Sequence, residues 1–512
     1  MVEQVDTKQK EEEQKMKRYT MAAVCATALA TSASAQEGKT LTYADFQTVQ
    51  TNWQMASDDS YLGSRAGCFE TLVRLNWQLQ LEPGLATSWK QVEPMVWEFT
   101  LRDGVKFQDG APLTAEAVVG ALKHLLAAEM PARPFSPKLI KSVEAVGEKV
   151  VRIITQTPSV LLPAQLAAPN TTILSPAAYQ GATIDPVGRC TGPFEIVEVK
   201  PKEYLKFKRN DNYWGGKPVL EGGMVVFIPD ANTRMTQVRS GEADIARLIP
   251  AYGVKQLEGA QGIDLIQLKT PRVTELLLNN KKEPLNDVRV RQAIQAAIDG
   301  AAIAASVYEG TVTAAASAFK PDDPWAPKDL KPIYDPARAK ALLEEAGIRP
   351  GQLQLELLAY TSRTELRDVG AIIQAQLGEI GIKVNLRVAE YTAIEPQMIS
   401  GDYDMALMSR GYLTDIADPY GFLTADYSCG GSYNMSHYCS EDVDALIEKA
   451  SSLIDPQARY EIYAQLAKKL FDEAVTVYLV NETSFDARSE RVKNYDMHPL
   501  VYYLMTKDLS VE

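Results

Sequence analysis

Trp97, Phe99 and Leu101 alternate with Glu98, Thr100 and Arg102. That period of two predicts a half-buried strand. Asp103-Gly104 predicts a tight turn, after which Val105 and Phe107 continue the apolar face as a second strand. Asp109-Gly110 turns the chain again, and Thr114 is placed to cap a helix. Val118, Ala121, Leu122 and Leu125 fall at i, i+3, i+4 and i+7, one face of that helix.

The same two periods recur along the chain. Strands are predicted over 41–45, 149–155, 195–200, 204–210, 225–229, 275–280, 353–360, 382–388, 404–409 and 475–481. Helices are predicted over 230–245, 286–298, 335–347, 369–381, 441–454 and 456–473, with Asn286 capping the second. The helix at 335–347 carries its own punctuation: Asp335 as N-cap, Pro336 in the first turn, Gly347 past the end. Strand, helix and strand over 353–388 predict a parallel crossover in an α/β lobe. There is no internal repeat and no floppy linker, so the lobes are expected to be joined by strands.

The 512 residues suffice for two or three domains, and the net charge of -13 argues against a nucleic-acid partner. The N-terminus reads as a secretory signal: Lys17-Arg18, an Ala-rich stretch from Met21 to Ala30, and a small-residue cleavage site at Ala33-Ser34-Ala35. Met16 is the expected start and Gln36 the first mature residue, which predicts export to the periplasm; lipidation at Cys25 is the alternative. Cys68, Cys190, Cys429 and Cys439 remain, an even count that suggests disulfides in an exported chain. Three pairings are open. Cys429 and Cys439 share one short polar loop, which favours that pair and leaves Cys68 with Cys190.

Catalytic patterns are scarce. The histidines are His124, His437 and His498, and no metalloprotease, nucleophile-elbow or phosphate-loop pattern occurs. His124 reads as structural. No zinc-ligand spacing, metal site or cofactor motif is present, and a secreted hydrolase would need a nucleophile–base pair that the sequence does not supply.

The order of residues carries more than their periodicity. Ala86-x-Ser88-Trp89, the alternating strand, Leu101-Arg-Asp-Gly-Val-Lys-Phe107 and Asp109-Gly-x-Pro-Leu-Thr-Ala-Glu116 resemble the fingerprint of the peptide/nickel family of extracellular solute-binding proteins, which serve ABC importers. Cys68–Val73, Thr191-Gly-Pro-Phe194, Asn212–Pro218 and Leu285–Ala293 resemble further family landmarks, with Tyr213 and Trp214 read as core aromatics. The resemblance implies an α/β, two-lobe periplasmic binding protein-like fold of type II. It has an extra subdomain in the first lobe and a hinge between lobes. The expected divisions are 1–35 (signal peptide with an N-terminal extension), 36–275 (first lobe), 276–482 (second lobe) and 483–512 (return to the first lobe). Crossings are expected near 270–280 and 475–485.

Tyr412, Asp415, Asp418-Pro419, Phe422 and Leu423 resemble the binding-site pattern of dipeptide binders. There the acid pairs with the peptide's α-ammonium and the aromatic residue, usually Trp, lines the site; here they are Asp415 and Tyr412. A buried ammonium needs a hydrogen-bonded counter-charge, although Asp415 also suits a plain turn cap before Pro419. Arg410 either contacts ligand or only pairs with Asp415. A peptide carboxylate suits an Arg fork, for which Arg363 is the candidate and Arg367 its rival. The resemblance also implies the Cys429–Cys439 disulfide. The expected partners are a short peptide or other small solute and a membrane permease, with the protein a monomer. A nickel chelate or an opine is the alternative ligand, with His437 or His498 as the histidine.

Overall fold

The computed structural model describes residues 40–512 apart from 51–52, 130, 181–182 and 415. The signal features, Cys25 and the candidate Asp415 therefore lie outside the described residues.

The fingerprint stretch builds a four-stranded antiparallel sheet with an adjoining helix. Val96–Leu101 pairs with Ala86–Glu93 on one side and Val150–Thr155 on the other, and Ile140–Val146 completes the edge. Trp97, Phe99 and Leu101 are buried, as their alternation requires. Thr114 caps the helix Ala115–Leu126 by accepting from the Ala117 amide at 3.2 Å. The expected second strand at Val105–Phe107 does not form. Asp109-Gly110 reverses the chain so soon that the segment folds onto itself: the Phe107 amide donates to the Ala111 carbonyl, and the Leu113 amide to that of Val105. Only an isolated bridge, Lys106 to Pro112, remains.

One mixed sheet runs through the whole molecule. Its centre is two long strands, Ile263–Leu278 and Thr476–Ser489, paired antiparallel. Each spans two cores. Leu276–Leu278 lie in the cluster built from residues 276–480, while Ile266 and Leu268 pack on the large cluster built from residues 41–245 and 492–511. The pairing shifts register between Lys269 and Val273, around Pro271. Proline has no N–H to give the ladder, so a bulge belongs there. The first strand starts twelve residues before the predicted 275–280, and the second runs eight residues past the predicted 475–481, because their outer halves carry no sustained apolar alternation (Gln267, Lys269, Thr270); the first also stops short of Asn279 and Asn280.

In the second lobe, Gln354–Tyr360 lies parallel to both Lys383–Ala389 and Met405–Gly411, with Glu365–Glu379 as the crossover helix. Asp335, Pro336 and Gly347 punctuate the helix Pro336–Glu345 as predicted, and Gly347 takes the left-handed φ of 79°. Several helix boundaries differ from the pattern: the helix predicted at 369–381 starts four residues earlier, as Glu365–Glu379, and that predicted at 441–454 ends at Ser452. Asp287, not Asn286, caps Val288–Ala297, because Asn286 is still held in the preceding turn by Lys282. The helix capped by Asp230 stops at Ser240, where Gly241 turns left-handed. Disulfides join Cys68 to Cys190 and Cys429 to Cys439.

Candidate functional site

All seven residues of the strand Met405–Gly411 are buried, and it points its C-terminal end at the first lobe. Parallel strands place ligand sites outside their carboxyl ends. Here Gly411 leads into the connection that reaches helix Pro419–Tyr427 through its N-cap Asp418. The lobes meet on this connection: the Tyr61 hydroxyl of the first lobe lies 3.1 Å from the Thr414 carbonyl oxygen. Ala417 packs on the first lobe's core.

Arg410 closes the strand with a fork onto Asp426, Nε to Oδ2 at 2.8 Å and Nη2 to Oδ1 at 2.7 Å. Both side chains are buried, so the pair needs this bidentate geometry to offset desolvation. The guanidinium also lies 5.0 Å from the Tyr433 ring centre. From the first lobe, Arg133 reaches the same ring at 4.5 Å. The Tyr433 hydroxyl bonds those of Tyr391 and the Glu395 carboxylate. Two arginines from opposite lobes thus share one aromatic ring.

A second charged cluster sits on the crossing strands. Glu482 accepts from Ser409 Oγ at 2.6 Å and Thr274 Oγ1 at 2.9 Å, and pairs with Arg363 at 3.2 Å. Burial opposes its charge, but Arg363 and Arg272 outweigh burial and hold the carboxyl below its usual range. Arg272 donates to the Ser409 carbonyl at 2.7 Å. Beside them Glu275 is 1% exposed and its Oε2 has no hydrogen-bond partner. Burial, then the nearby Asp426, pushes its carboxyl up to about 8, against the pull of Arg410. Glu275, Asp426, Tyr433 and Ser436 border a void of about 10 Å³, the size of one water.

Of the residues singled out in the sequence, Arg410 and Arg363 enter these two clusters. Arg367 is exposed on the crossover helix. Tyr412 is fully buried, its ring against Phe319 at 5.3 Å and its hydroxyl bonded to Asp323. Arg410 has a carboxylate partner, Asp426, that the local pattern did not offer. His437 bonds the Met398 carbonyl at 2.9 Å. His498 is buried in the first lobe, and burial drives its ring down to about 3, so it is neutral. His124 lies against Tyr179. Among the described residues no three His, Cys, Asp or Glu side chains gather as a metal site. Arg133, Arg272, Asp426, Tyr433 and Glu482 escaped the sequence reading. Each meets its partner only through the fold.

Two lobes on a shared sheet, crossed by two strands and with charged side chains facing the seam, define a hinged solute-binding protein. The chain belongs to the bacterial extracellular solute-binding proteins, family 5, whose model matches residues 80–434. It is 27% identical to the dipeptide-binding protein of Escherichia coli, over 92% of this chain and 94% of that protein. It is 30% identical to the nickel-binding periplasmic protein of the same organism, over 80% and 82%. It superposes on NikA from Brucella suis, solved with Fe(III)-EDTA, with a TM-score of 0.81 and 26% identity, covering 92% of this chain and all of that one. No described helix is long and apolar enough to cross a membrane.

Proposed function

We propose that this protein captures a short peptide between its lobes and delivers it to the permease of an ABC importer. Its place is outside the cytoplasmic membrane, as a monomer. The observation that carries the ligand class is the pair of charged clusters at the seam, Arg410–Asp426 and Arg363–Glu482, beside the connection that holds Asp415. Fixed charges of both signs suit a zwitterion, whose ends each need a desolvated counter-charge. Asp415 is assigned to the α-ammonium, Arg363 to the carboxylate, and Tyr412 to the wall behind them.

The relatives also name nickel, and NikA from Brucella suis was solved around a chelate rich in carboxylates. Arg133, Arg272 and Arg410 would suit such a ligand, or an opine, without any histidine. The deciding experiment is native mass spectrometry of the purified protein, followed by calorimetry with dipeptides and with nickel–histidine. Dipeptide binding that Asp415→Ala abolishes, with the fold intact, supports the assignment. Unchanged affinity in that variant, or binding of the nickel chelate alone, refutes it.

A further inference from the structure

We infer that the first lobe carries a second small-molecule site, apart from the interlobe seam, that takes an organic cation with an apolar body. A cavity of about 430 Å³ opens between the segment 64–77, the Tyr213-Trp214 turn and the C-terminal return. That volume is within the range of small-ligand pockets. Phe69, Trp77, Tyr213, Trp214 and Tyr503 line it, with Glu70 among them.

The chemistry of the walls selects the ligand. Glu70 is 8% exposed. Its Oε1 accepts from the Tyr213 hydroxyl and its Oε2 from Trp214 Nε1, each at 2.8 Å. Both donors are neutral, so they fix the carboxylate without cancelling its charge. Asp496 adds a second acid at the rim. Two basic groups, Arg74 and Lys507, line the same cavity. Lys507 pairs with Asp508 at 2.6 Å, and Arg74 lies 4.9 Å from the Tyr503 ring centre while pairing with Glu82 at 3.8 Å. Arg74 is drawn to Glu70 as well as to Glu82, so Glu70 is only partly balanced; with Asp496 it faces an aromatic chamber, the setting in which a cation gains both Coulomb and cation–π attraction. The wall already attracts cations of the protein's own: Arg102 lies over Trp214 at 4.2 Å.

The test uses the mature protein and two probes, benzyltrimethylammonium and choline, titrated while tryptophan fluorescence and heat are recorded. Saturable binding is expected for both. The uncharged isostere of choline, with carbon in place of nitrogen, should not bind. Glu70→Gln should weaken binding about tenfold, and Asp496→Asn, at an exposed position, should weaken it less. Arg363→Ala should leave it unchanged, and Glu70→Gln should leave peptide affinity unchanged. If Glu70→Gln does not fold, Asp496→Asn alone carries the test. Absence of saturable binding, equal binding of the uncharged isostere, loss in Arg363→Ala, or no weakening in the acid variants that fold would overturn the site.

Discussion

Glu275 and Glu482 are two buried carboxylates on neighbouring central strands with opposite fates. Glu482 collects two hydroxyls and an arginine; Glu275 leaves an oxygen bare. A carboxyl raised to about 8 binds its proton in the folded state but not in the unfolded chain between its ordinary value and 8. Stability is therefore lost as pH rises through that window, by up to about 1.4 kcal/mol per pH unit. Glu275→Gln, which cannot ionise, should match the wild type in denaturant midpoint near pH 5 and exceed it at pH 8–9. Equal midpoints at both pH values would refute the assignment. Glu482→Gln has the opposite logic. It leaves Arg363 partly buried with only Glu365 as counter-charge, at a cost of about 3 kcal/mol in urea unfolding at neutral pH.

At the scale of elements, local chemistry sets ends and the fold sets lengths. Thr114 and Asp335 cap their helices through one side-chain acceptor each. Replacing either by Ala should cost about 1 kcal/mol in thermal or denaturant unfolding. Both caps were legible because cap, first turn and apolar face adjoin in sequence. The crossing strands were legible only at their inner halves, where Leu276–Leu278 and Val477–Val480 are apolar. Their outer halves are held by pairing with each other, so their composition need not declare a strand. The failed strand at Val105–Phe107 makes the converse point. Its alternation is real and both residues are buried, but the turn three residues on left no partner strand to pair with.

At the scale of the whole molecule, closure and covalent ties matter most. The disulfide from Cys68 to Cys190 spans 122 residues. Replacing both cysteines by Ser should lower stability by about 2–5 kcal/mol, measured by urea unfolding against the reduced wild type as control. The contact from Tyr61 to Thr414 bridges the lobes. Tyr61→Phe should favour the open form by about 1 kcal/mol, read as a larger radius of gyration in small-angle X-ray scattering of the ligand-free protein.

By itself the sequence determined the α/β class, the parallel crossover, the fingerprint strand Val96–Leu101 and the helix that follows it, and through ordered landmarks the family. Those features are written in residues that stand close together: alternation, caps, turn dipeptides. It also pointed to Arg410 and Arg363. Only the tertiary structure decided what they face. Arg410 meets Asp426 across a strand and a helix, Arg363 meets Glu482 from a strand 119 residues away, and Tyr433 is reached by arginines of both lobes. Pairings across such separations leave no local period, because burial and charge balance act between surfaces that the chain brings together only when folded.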